Sequence, residues 1–134
     1  MALQYSATIY LARLDQITTT IGASAKLNIY SGAAPANCAA ADTGTLLATL
    51  VLPASWMAAA SGTTKVLAGS WTVAASGGAA ATPTHFRIKD NATNLVCGCQ
   101  GTAGIGSGDL QVNGTITSGQ TVTVSTFTLT AANT

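Results

Sequence analysis

His85-Phe86-Arg87-Ile88-Lys89, then Asp90-Asn91-Ala92-Thr93-Asn94, then Leu95-Val96-Cys97-Gly98-Cys99-Gln100, reads as a β-hairpin. Polar and apolar residues alternate through 85–89, the next five are turn formers, and 95–100 supply a return strand. With a loop over 91–94, Asp90 pairs with Leu95, Ile88 with Cys97 and Phe86 with Cys99. Side chains alternate between the two faces of a strand, so those four share an apolar face and His85, Arg87 and Lys89 point the other way. Period two extends on both sides. Upstream, Lys26-Leu27-Asn28-Ile29-Tyr30 alternates up to the turn signal Ser31-Gly32; 33–44 is a loop with Pro35, and 45–52 is a strand closed by Pro53. Shorter strand candidates are 65–67 and 70–73, and 74–81 is a small-residue connection. Downstream, 101–108 is a glycine-rich loop, Leu110 and Val112 open a short strand, and 121–130 is the last long one. There the apolar phase slips from Val122 and Val124 to Phe127 and Leu129, which predicts a bulge near Ser125-Thr126. Strands at this spacing predict a mainly β chain, an antiparallel, jelly-roll-like β-sandwich, with one N-terminal helix.

The helix is read from a different period. Leu3, Ala7, Tyr10, Leu11, Leu14, Ile17 and Ile21 recur every three or four residues and make one apolar stripe, and Gly22 follows as a stop. Residues 1–22 are therefore an N-terminal helix and 23–134 a single β-sandwich domain. The 134-residue length suits one compact unit.

Charge narrows the function classes. Only 7% of the residues are charged and there is no glutamate, against about a quarter in ordinary soluble domains. Arg13, Asp15, Lys26, Asp42, Lys65, Arg87, Lys89, Asp90 and Asp109 are the whole set. The surface is left to Ala, Gly, Ser and Thr, which suits a chain covered by neighbouring subunits better than a dilute monomer. A net charge of +1 on scattered cations is no footprint for direct nucleic-acid binding. The most apolar window, 46–60, is broken by Pro53 and is too short to span a membrane. The first ten residues lack a secretory pattern, so synthesis in a reducing cytoplasm is expected.

Catalysis needs titratable groups held close together. Four dispersed aspartates and one histidine make no such set, so the chain is read as no enzyme and as needing no cofactor. Asp15 belongs to the helix, Asp42, Asp90 and Asp109 read as turn and loop residues that bond their own backbone, and His85 reads as a polar-face strand residue. Cys97-Gly98-Cys99 with Cys38 fails the usual zinc spacing. Three cysteines, an odd number, argue against a disulfide framework, and they read as small buried hydrophobes. Residues 101–108 resemble a phosphate loop only superficially, because no Lys-Ser or Lys-Thr and no helix follows. Trp56 and Trp71 are core fillers or contact anchors. The candidate interface residues are Leu3, Tyr10, Leu11, Leu14, Trp56 and Trp71.

The run from Leu14 to Gly32, Pro35-Ala36, the strand Leu46 to Leu50, Thr84-His85-Phe86-Arg87-Ile88 and the Ser125 to Leu129 ending together resemble a group of small virion structural proteins of tailed bacteriophages. That resemblance implies a virion protein, made in the host cytoplasm, with other virion proteins (the major capsid protein, or tail or neck proteins) as partners. It also implies a homo-oligomer. A capsid decoration or cement subunit is the leading expectation. The alternatives are a tail, neck or baseplate component, or a virion-surface receptor- or glycan-binding module. Cys-Gly-Cys is a departure from the group's pattern.

Overall fold

The computed structural model describes residues 1, 3–75, 80–92 and 97–131. The chain is mainly β with one helix: α1 (Ala7–Ile21) precedes β1 (Lys26–Ser31), β2 (Thr45–Val51), β3 (Thr64–Val66), β4 (Thr72–Ala74), β5 (His85–Lys89), β6 (Cys99–Gly104), β7 (Leu110–Val112) and β8 (Thr121–Thr130). The strands form one hydrogen-bonded sheet in the order β2-β1-β5-β6-β7-β8-β3, with β4 also on β8. It curls into a half-barrel. The expectation of a wholly antiparallel sheet is corrected, because β6 and β7 run parallel. Only five residues separate them. Gly106 and Gly108 adopt left-handed φ of 71° and 96°, which lets the chain loop fully round and resume its direction beside itself.

The helix begins at Ala7, four residues later than the stripe suggested. Ser6 is its N-cap, extended at φ −68° and ψ 158°, and its carbonyl accepts from the N–H groups of Ile9 and Tyr10; Leu3 therefore lies outside the helix. At the other end Gly22, at φ 90°, donates its N–H to the Thr18 carbonyl at 2.9 Å and terminates it. Ile17 and Ile21 turn into the core that lines the concave side of the sheet, with Leu27, Ile29, Leu50, Ile88 and Leu110. An aromatic row runs through that core: Trp56, Trp71, Phe127 and Phe86, with successive ring centroids 6.1, 5.6 and 5.5 Å apart.

The predicted bulge in β8 is present. Gln111 pairs with Thr126 and Val112 with Val124, so Ser125 is the extra residue, and its hydroxyl donates to the Gln111 carbonyl at 3.2 Å. The hairpin register differs from the expected one by two residues: Ile88 pairs with Cys99 and Phe86 with Gly101. A two-residue slip preserves the face of every side chain, so Phe86, Ile88 and Cys99 still share a side. The expected return strand 95–100 begins instead at Cys99 and continues through Gly104, into what read as loop; residues 93–96 lie outside the described set. Glycine stands in and just before this strand because neighbours rest directly on the backbone. A β-carbon at Gly98 would come within 2.6 Å of Ile21 Cγ1, and one at Gly101 within 2.8 Å of Asp109 Oδ2. Gly98→Ala should therefore lower the unfolding free energy by about 1–3 kcal/mol. Denaturant titration checks this, and Ile21→Ala in the same chain should cost less than the two changes summed.

Candidate functional site

The face of β1, β5 and β6 turned away from the core is polar, and residues 32–44 fold over it as a strap. Cross-strand pairing sets Asn28 beside Arg87, Tyr30 beside His85, and Arg87 beside Gln100. Arg87, expected on an open polar face, is 0% exposed. Its Nη1 donates to Asp42 Oδ1 at 2.6 Å, Nε and Nη2 donate to Gln100 Oε1 at 3.0 and 2.9 Å, and Nη2 also reaches the Asn37 carbonyl at 2.8 Å. Gln100 Nε2 in turn donates to the Pro35 carbonyl at 3.1 Å. Asp42 Oδ2 accepts from Lys89 Nζ at 2.6 Å and from the Tyr30 hydroxyl at 2.9 Å. The strap is thus bolted down by a network whose buried charge is paired and hydrogen-bonded, the condition for burying it at all.

Burial works against ionisation of Asp42, but hydrogen bonds from Lys89, Arg87 and Tyr30 outweigh it and hold the carboxyl at about 2. Burial raises the Tyr30 phenol above its usual range, opposed by Asn28 and reinforced by Asp42. His85 stacks on Tyr30 with centroids 5.0 Å apart and planes 7° from parallel. Its Nδ1 lies 3.2 Å from Thr84 Oγ1, while its Nε2 is buried without a hydrogen-bond partner among the described residues.

Two other aspartates also bind across elements, and for Asp109, as for Asp42, this corrects the reading that it serves its own backbone. Asp15 pairs with Lys65 Nζ at 2.5 Å and ties α1 to β3, and that hydrogen bond lowers its pKa against a smaller opposing burial effect. Asp109 Oδ2 accepts from Thr102 N and Oγ1 at 2.9 and 2.8 Å, bracing the β6–β7 loop. Among the described residues no three of His, Cys, Asp or Glu come together as a metal site.

The cysteines overturn an expectation. Cys38 in the strap and Cys97 just before β6 form a disulfide, with Cα atoms 5.0 Å apart. Cys99 alone is free, and burial pushes its thiol up to about 12. The odd count concealed one bridge and one core thiol. The two-residue slip is the physical reason, since it carries Cys97 beyond the paired part of β6, where Cys38 of the strap can meet it.

Three clefts lie beside α1. One of about 320 Å³ is lined by Arg13, Gln16, Ile17, Thr20, Ile21, Cys97 and Gly98. A second of about 350 Å³ shares Arg13, Gln16 and Ile17 and ends at Thr130 and Ala131. The third, about 210 Å³, lies between the helix C-terminus and Trp56. None of the three is lined by an aspartate or by His85.

Of the six residues singled out as interface candidates, four are buried in the chain's own core: Tyr10, Leu14, Trp56 and Trp71. The tryptophan N–H groups are satisfied there by the Gly22 and Ala68 carbonyls, at 2.9 and 3.0 Å. Leu11 is half-buried, and Leu3 is 72% exposed. Among the described residues, the exposed large apolar side chains that pattern reading missed are Met1, Tyr5 and Ile9 around the start of α1, Leu46 and Val51 on β2, Val66 on β3 and Ile105 between β6 and β7. No protein-family model matches the chain, and neither does any curated protein or solved structure.

Proposed function

We propose that the chain is a non-catalytic structural subunit that works by packing against neighbouring subunits; following the resemblance described above, we take the assembly to be a phage particle, with decoration of the head shell as the leading role. The observation that carries the packing role is the set of exposed apolar side chains in the N-terminal strip of sequence that leads into α1. Met1, Leu3 and Ile9 face solvent there, while Asp15, Asp42, Lys65, Arg87 and Lys89 are paired within the chain. A surface with few free charges and a cluster of apolar side chains suits the desolvated centre of an interface. The glycan-binding alternative would need exposed aromatic rings on which sugars stack, and it draws no support from Trp56, Trp71 and Tyr30, which are all buried.

Leu3→Asp tests this role and Leu14→Asp is its control. Leu3 is outside the core, so its aspartate variant should keep the wild-type unfolding midpoint and lose incorporation into particles by about tenfold or more, as when an interface anchor is removed. Leu14→Asp should unfold the chain. Normal incorporation of a folded Leu3→Asp protein, measured by quantitative mass spectrometry of purified particles, would remove the N-terminal strip from the assembly surface. Copy number in the same measurement separates a shell subunit, present in hundreds, from a tail component present in a handful.

A further inference from the structure

We propose that the Cys38–Cys97 disulfide is a reducible latch on the strap of residues 32–44, opened by a small thiol that enters the cleft between α1 and Gly98. Three observations converge on it. The bond joins the strap directly to the chain segment that enters β6. Cys97 lines the 320 Å³ cleft, so one residue of the pair borders a space of small-molecule size. Arg13 lines the same cleft, and a cation in the cleft wall favours the entry of a thiolate, most of all one that carries carboxylates.

The exchange balances with a small thiol as the only co-reactant. Its thiolate attacks Cys97 Sγ, a mixed disulfide forms at Cys97, and the Cys38–Cys97 bond breaks with Cys38 leaving as a thiolate that takes a proton from water. A second thiolate then attacks the sulfur of the bound reagent, releasing the oxidised reagent and the Cys97 thiolate. Cys99 does not intercept the intermediate. Its thiol is buried and, with its pKa raised to about 12, holds its proton at neutral pH. Once the latch opens, the strap is held by the bonds of Arg87, Lys89, Tyr30 and Gln100 to Asp42, Asn37 and Pro35. It then opens locally without global unfolding.

The test combines thiol counting with amide exchange on the full chain. Protein kept from reductant should show no thiol reactive to a neutral maleimide under native conditions and one after denaturation. After treatment with a dithiol, Cys38 and Cys97 should label, and exchange across residues 32–44 should rise by about tenfold while β7 and β8 stay protected. Cys38→Ser should reproduce the fast-exchanging strap and ignore the reductant; should it fail to fold, the reduced wild-type chain carries the same readout. Arg13→Ala should slow reduction by an anionic tripeptide thiol about threefold and leave reduction by neutral 2-mercaptoethanol unchanged. Three titrating thiols in the denatured, unreduced chain, or strap exchange unaltered by full reduction, would overturn the latch. Equal reduction rates for Arg13→Ala and wild type with the anionic thiol would overturn the cleft as its entrance.

Discussion

Replacing Asp42 with alanine should lower the unfolding free energy by about 3 kcal/mol, because it leaves the Arg87 guanidinium fully buried without a counter-charge. The low end of the range for a broken buried pair is appropriate. Asp42 is itself 34% exposed, and Gln100 and Asn37 go on accepting hydrogen bonds from Arg87. Arg87→Met in the same background should recover part of the loss, since an apolar side chain needs no partner there, and the double change should cost less than the two single ones summed by about 1–3 kcal/mol. Additive costs would mean that the two residues are not coupled. The pH dependence has a definite sign. The folded-state pKa of Asp42, about 2, lies below its ordinary 3.8. Its contribution is therefore complete above about pH 4 and is lost as pH falls toward 2, by linkage between protonation and folding. Asp15, also lowered, adds in the same direction. In Asp42→Ala the acid limb of the stability curve should be shallower through that window, which chemical unfolding at a series of pH values reads directly.

How far the fold was legible depended on whether a signal was local. The helix stop at Gly22, the alternation in β1 and β5, and the Ser125 bulge are all written in neighbouring residues, and each is where the pattern puts it. The β5–β6 register was not. Just before β6, Ile21, far away in sequence, packs against the backbone at Gly98, and no alternation pattern carries such a long-range contact. The parallel β6–β7 pair was hidden for a related reason. A run rich in glycine reads as loop, although Gly101 and Gly104 are in a strand and only Gly106 and Gly108 make the turn. The polar layer was half legible: the face of His85, Arg87 and Lys89 followed from period two, but its burial depended on where residues 32–44 come to rest. With that strap in place, Asp42 becomes an ion-pair partner and Cys38 a disulfide partner. Neither role has a signature in sequence, because both depend on contacts between residues more than 40 positions apart.

Trp56→Ala should cost about 4 kcal/mol, through the cavity left by a large, fully enclosed side chain. Trp56 is 2% exposed and stands between two parts of the molecule. Its ring meets Trp71 at the head of the aromatic row, and its Nε1 donates to the Gly22 carbonyl at the end of α1. Removing it should unsettle the docking of the helix as well as the core, so amide exchange in α1 should rise more than in β1 or β5. Trp56→Phe separates the two contributions. It keeps most of the apolar bulk and gives up the bond to Gly22, and about 1–2 kcal/mol is expected for that loss with its small cavity. Trp56 and Asp42 share no bonding partner and act on opposite faces of the sheet, so their effects should add to about 7 kcal/mol within about 0.5 kcal/mol. A domain of this size holds roughly 5–15 kcal/mol in total, so the double variant should lie at or beyond the edge of folding. A loss under about 1 kcal/mol for Trp56→Ala, outside the range for a buried aromatic, would mean that Trp56 is not enclosed and would return it to the surface as a candidate contact residue.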